Sequence, residues 1–212
     1  MDIDKYKAGK YIRQFQYESF LPTLINTDWS INNIEMIQLL SDADIKVGEL
    51  NAFSQLVPDI DFFIKMHVIK EATKSSRIEG TQTNIAEAVQ KENQIDPEKK
   101  DDWEEVQNYV TAMNHAIENL QSLPLSNRLL CNIHSTLLQG VRGKHKSPGE
   151  IRRSQNWIGG ASIKDAVFVP PHNNDLPELL SDFEKFLNNA DIILPHLIRI
   201  GIAHYQFETI HP

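Results

Sequence analysis

The sequence holds a single cysteine, Cys131. A lone thiol excludes an intramolecular disulfide and a zinc cluster built from thiolates. No segment approaches the ~20 apolar residues that a membrane span needs. The opening stretch, MDIDKYKAGK, has no apolar run and does not read as a signal peptide. Positive charge is also short: 21 Lys and Arg stand against 29 Asp and Glu, for a formal net charge of −8. A net anion is not drawn to phosphate backbones or acidic lipids, so neither nucleic acid nor an anionic membrane is an expected partner. Internal repeats and low-complexity tracts are missing too. What remains is an ordinary composition, 41% apolar and 24% charged over 212 residues. That is enough chain to bury a core in one large domain or two small ones. The expected location is cytoplasmic.

The apolar spacing is helical almost throughout. Residues 1–30 carry two bulky runs, YIRQFQY and FLPTLI, and read as an extended arm on a helical body. Ile34, Ile37, Leu40, Val47, Leu50 and Phe53 then follow helical spacing, with a possible break near Ser41–Asp44. Pro58-Asp59 opens a helix that Gly80 closes as a left-handed cap. A short helix near 84–91 and the polar connector KENQIDPEKK follow. Trp103, Val106, Val110, Met113, Ile117 and Leu120 step by three and four, which predicts an amphipathic helix over about 98–121. Pro124 separates it from SNRLLCNIHSTLLQ, closed by Gly140. Helices are also expected at LPELLSDFEKFLN and at PHLIRIGIAHYQFETI. The last is apolar almost all round and predicts a buried, central helix. Between them, QNWIG and AVFVP flank GASIKD, a hairpin signal within 155–170. The fold class is therefore all-α with a single protruding β-hairpin.

Three stretches could carry chemistry. His204, Glu208 and His211 lie at i, i+4 and i+7 on one helix face. Pro212 pushes His211 out of the α region, so the helix ends there. The negative end of the helix dipole favours a protonated imidazole, a position that suits a proton acceptor. These residues could equally be satisfied by neighbouring backbone. Glu208-x-x-His211 also has the spacing used in di-iron bundles, but the chain has no second such pair and no HExxH, so a metal centre is the weaker reading. The second stretch is SSRIEG, 75–80. Along the helix it ends, Ile64, Val68, Ala72 and Ser75 form one stripe, and Glu79 continues it. An inward carboxylate needs a partner, whereas a frayed last turn leaves it in water. The third is GEIRRSQNWIGGASIKDAVFVPP. It is either a cover over the core or a ribbon whose open edge takes an extended peptide.

Together these stretches resemble the Fic family of AMP-transferring enzymes. FETIHP, ending in His211 and Pro212, matches the start of H-P-F-x-[DE]-G-N-G-R-x-x-R. SSRIEG matches the inhibitory pattern [ST]-x-x-x-E-[GN] as Ser75, Glu79 and Gly80. GEIRRSQNWIGG with VFVPP looks like the family's flap, and YESFLP with the helices to about 95 looks like its N-terminal helical domain. The resemblance implies a helical domain over 1–96, with an inhibitory helix at about 59–79, and a catalytic core over 97–212. It places the acidic ligand, the glycine loop and both arginines after Pro212, so the 212 residues alone are expected to be inactive.

The implied reaction uses ATP and Mg²⁺. His211 is the expected general base toward a Ser, Thr or Tyr hydroxyl of a target protein, or of the enzyme itself, with pyrophosphate leaving. The flap would hold the target in extended form. Arg152 is a candidate phosphate or target contact, or a solvated charge, and Gln206 is a candidate for the nucleotide pocket. Glu79 is expected to engage the motif's second arginine and displace the γ-phosphate. A rival from another class is a non-catalytic interaction module of the same fold. The residues after Pro212 discriminate the two.

Overall fold

The structure, a computed structural model, describes residues 1–78, 80–140 and 147–211. Its contacts define two compact units, Met1–Lys46 with Arg152–Pro212, and Val47–Ile151. This is a boundary drawn by contact, whereas the division at residue 96 separates stretches by motif.

In the first unit the arm forms the ladder. β1 (Gly9–Arg13) and β2 (Glu18–Pro22) pair antiparallel, with Gly9 opposite Pro22 and Arg13 opposite Glu18. The loop between them closes with Gln14 N–H donating to the Tyr17 carbonyl at 2.8 Å. The hairpin expected within 155–170 is thus found at 9–22. The later stretch does double back, but it forms one antiparallel bridge, Ile158 with Phe168, and no ladder. The reason is local. Gly159 and Gly160 take φ of +69° and +77°, which ends the extended run immediately after Ile158.

α6 (Leu176–Asn188) buries Leu176, Leu179, Phe183 and Phe186, one stripe at helical spacing. It packs on α7 (His196–Ile210) around Leu176, Leu179 and Ile210, with Leu21 of β2 against the same cluster. Each such side chain contributes about 1.5–3 kcal/mol by leaving water. Arg199 of α7 donates to the carbonyls of Phe186, Asn189 and Ile192, and so satisfies acceptors that the end of α6 leaves open. The Asp182 carboxylate accepts from the N–H groups of Ile25 and Asn26 and ties the arm to α6.

The buried, central α7 expected from its composition is corrected by the structure. Only Ala203, Gln206, Thr209 and Ile210 are buried, while Ile200 and Tyr205 are 62% and 45% exposed. An all-round apolar helix does not reveal which face has a partner. Here α6 and β2 take one stripe.

Tyr6 packs on Trp29 with ring centroids 5.2 Å apart, and its buried hydroxyl has no hydrogen-bond partner among the described residues. Burial, then the nearby Tyr205 and Asp182, push its pKa up to about 12. The folded state therefore holds this proton more tightly than the unfolded chain does. The contribution is present in full below the ordinary tyrosine pKa of about 10 and is lost as pH rises toward 12. A spectrophotometric tyrosine titration should show one late-ionising phenol, with stability falling over the same window. Tyr6→Phe should remove both.

The second unit is helical. α1 (Ile34–Ser54) runs without a break at 41–44 and includes the boundary between the units; none of its residues is buried. α2 (Ile60–Ile78), α3 (Ile85–Ala88) and α4 (Lys100–Asn119) share a core of Ile69, Ala72, Ala88 and Val106, flanked by Met66, Tyr109 and Val110. α5 (Asn127–Leu137) packs on α4 and is capped by Ser126, whose side chain accepts from Leu129 N–H. Among the described residues no helix is long and apolar enough to cross a membrane.

Candidate functional site

α7 stops at Ile210, and His211 leaves the helix at φ −115°, ψ 53°, as a residue before proline must. Its N–H still donates to the Phe207 carbonyl at 2.9 Å, which holds the residue on the last turn. Its ring stacks on Phe207, with centroids 5.4 Å apart and planes 8° apart. The side chain is exposed. An oriented imidazole that solvent can reach is able to take a proton from an incoming hydroxyl. His204 Nδ1 and Glu208 Oε1 stand 4.0 Å apart on the exposed face, a loose pair. Among the described residues no group of three His, Cys, Asp or Glu side chains gathers into a metal site.

Gln206, a candidate for the nucleotide pocket, is fully buried. Its Nε2 donates to the Thr23 carbonyl at 3.3 Å, while its Oε1 has no hydrogen-bond partner among the described residues. The structure thus turns its amide toward the arm, where it joins α7 to the residue after β2.

At the end of α2, Gly80 takes φ +104°, its N–H bonds the Arg77 carbonyl, and Thr81 N–H bonds the Ser76 carbonyl, both at 3.1 Å. This 6→1 and 5→2 pair is the Schellman closure expected of a glycine at that place. An added Cβ at Gly80 would touch nothing, so only the backbone conformation demands glycine. Gly80→Ala should destabilise the second unit by about 1 kcal/mol, read as a shifted urea midpoint at unchanged slope. Ser75 Oγ donates to Glu71 Oε1 at 2.9 Å along the same helix.

The inward stripe of α2 is corrected. Ile64 is 50% exposed, and the buried residues are Ile69, Ala72, Thr73 and Ser76. Phe62, Phe63 and Ile64 are consecutive, so periodicity alone does not select the face; the Val106 and Ala88 contacts do. Glu79 and Pro212 lie outside the described residues.

Two contacts that no local pattern announces fix the chain after Gly80. Asp102 of α4 accepts from Gln82 N–H at 2.7 Å, and Lys99 donates to Glu87 at 2.6 Å. The second bond holds the Glu87 carboxyl below its ordinary range. Each joins residues more than ten apart, beyond the reach of helical spacing.

The flap stretch is stapled at its base. Arg152 donates to the carbonyls of Ser154 and Pro171, Gln155 to that of Pro170, and Asn173 to that of Arg153. Arg152 is half-buried, which lowers its pKa, and its guanidinium spans the two ends of the loop.

Two family profiles match the chain: the Fic/DOC family N-terminal profile over residues 37–118, and the Fic/DOC family profile over residues 124–212. The chain belongs to the Fic/DOC family. A curated relative from Drosophila willistoni, "Protein adenylyltransferase Fic", is 26% identical over 82% of this chain and 34% of its own length. One of the same name from Aedes aegypti is 40% identical over 30% of this chain and 12% of its own. The chain thus spans 34% and 12% of the length of these two relatives. A solved Fic family protein from Desulfovibrio desulfuricans superposes with a TM-score of 0.62 at 20% identity, over 85% of this chain and 52% of that one. It shares the fold, helical with a β-hairpin.

Proposed function

We propose that this chain belongs to a protein adenylyltransferase that moves AMP from ATP to a Ser, Thr or Tyr hydroxyl of a target protein, under restraint from its own Glu79. The observation that carries this is the end of α7. It presents His211 exposed, stacked on Phe207 and anchored through its N–H, at the first position of the Fic motif. His211 would take the proton of the target hydroxyl as that oxygen bonds the α-phosphorus, and the bond to the leaving pyrophosphate breaks. ATP is the substrate in this reading. Relatives that bear the name protein adenylyltransferase support the reaction class.

Restraint by Glu79 rests on the SSRIEG pattern and on a closed α2 terminus that fixes the neighbouring Gly80. The flap stretch, held at its base by Arg152 and Gln155, is the proposed target-facing surface. Incubating the intact protein with labelled ATP and following transfer to protein tests the reading. Label that appears without dependence on His211 would contradict it.

A further inference from the structure

Four extended segments lie side by side in the first unit. β1 pairs with β2, Phe20 N–H of β2 donates to the Val169 carbonyl at 2.8 Å, and Phe168 is bridged to Ile158. The rings follow the same order, Tyr11 to Phe20 at 5.3 Å and Phe20 to Phe168 at 6.0 Å. The arm therefore occupies the Val169 side of the flap and becomes part of it.

Between the loop Gln14–Tyr17 and the turn at Ile163–Asp165 this ribbon encloses a groove of about 490 Å³. Its walls combine three features. Phe15, Val167 and Tyr11 are 96%, 82% and 59% exposed, a concentration of large apolar side chains in water. Gln16 supplies an amide able to pair with a main chain, and Gln14, whose Nε2 donates to Ser19 Oγ at 3.0 Å, offers its carbonyl oxygen. Arg13 and Lys164 bring positive charge, and among the described residues neither has an ion-pair partner; Glu18 is the single acid of the lining. In a chain of net charge −8, a groove with two cations and one anion is a local reversal of sign.

We propose that this groove docks an extended segment of the target protein that carries an acidic side chain close to an aromatic one. The cations would choose the charge, the exposed rings would receive the aromatic group, and the amides would hold the main chain. Recognition of the target would then be shared between the arm and the flap. The identity of the occupant rests on the reading of the flap as target-facing. The test uses no nucleotide, so its failure leaves AMP transfer standing, and failure of AMP transfer leaves this binding measurable.

The probe is a set of short fluorescein-labelled synthetic peptides of matched length, carrying Glu beside Phe, Lys beside Phe, or Glu beside Ala. Each is titrated against the intact protein by fluorescence anisotropy. The wild type should bind the Glu-Phe peptide about tenfold more tightly than the Lys-Phe peptide. The double variant Arg13→Glu, Lys164→Glu should reverse that preference. Phe15→Ala should weaken Glu-Phe binding severalfold and leave the charge preference in place. All three side chains are exposed, so the melting temperatures should match wild type. Equal binding of the Glu-Phe and Lys-Phe peptides by wild type, or a preference that survives the charge reversal, would overturn the proposal.

Discussion

Replacing His211 by alanine in the intact protein should reduce AMP transfer by about 10²–10⁴-fold, the range over which a positioned general acid or base acts. The fold should not suffer. His211 lies past the end of α7, is exposed, and stacks on Phe207. Loss of such a stack is worth about 0.5–1.5 kcal/mol, and less for an exposed ring. The N–H bond to Phe207 survives the substitution because it belongs to the backbone. A large kinetic effect with little thermal effect is the signature of a residue that handles a proton. A comparable fall in melting temperature and activity together would assign His211 to the capping of α7.

Glu79→Gly should raise self-labelling at least about tenfold. A carboxylate beside a triphosphate is a like-charge contact of roughly 4 kcal/mol at 4 Å with an effective dielectric of 20. At about 1.4 kcal/mol for each factor of ten, the ceiling is near three orders of magnitude. Thermal water access lowers the realised figure, which is why a tenfold rise is the expected floor. A solvated glutamate at a helix end predicts a change within about 0.5 kcal/mol, roughly a factor of two. The contrast with Gly80→Ala is useful. That change acts on the α2 terminus through φ alone, so it should move stability more than rate. Asymmetry between neighbouring positions separates a regulatory carboxylate from a loosened helix end.

Most of the helices were legible in the sequence because their punctuation is physical. Gly80 provides the positive φ of a helix end, and a proline after His211 limits α7. Amphipathic spacing located α4, but of the expected stripe only Val106 is buried, with Ala112 and Ala116 beside it, while Ile117 and Leu120 are exposed. The helix expected at LPELLSDFEKFLN is α6. What the sequence left open was direction. α2 and α7 carry apolar residues on several faces, and only a partner element decides which one is buried. The ladder was misplaced for a related reason. The arm turns through Gln14–Tyr17 without glycine, so no turn signal marks it, whereas the glycine pair at 159–160 signals a turn and also cuts its strands short.

At the candidate site, the position of His211 could be read from a proline and an apolar helix. The hydrogen-bond partners of Arg152 and Gln206 could not, because they are main-chain carbonyls at Pro171 and Thr23, 19 and 183 residues away. A carbonyl has no residue type and leaves no trace in a sequence pattern. The same holds for Val169, which accepts from Phe20 and so joins the arm to the flap.

The central claim is that His211 mediates transfer of AMP onto a hydroxyl. Intact-mass and peptide mass spectrometry of the full protein carrying Glu79→Gly, incubated with ATP and Mg²⁺, tests it most directly. The account predicts the addition of one AMP on a Ser, Thr or Tyr side chain, absent when His211→Ala is added. No adduct on the Glu79→Gly protein, or an adduct that persists in the double variant, would contradict it.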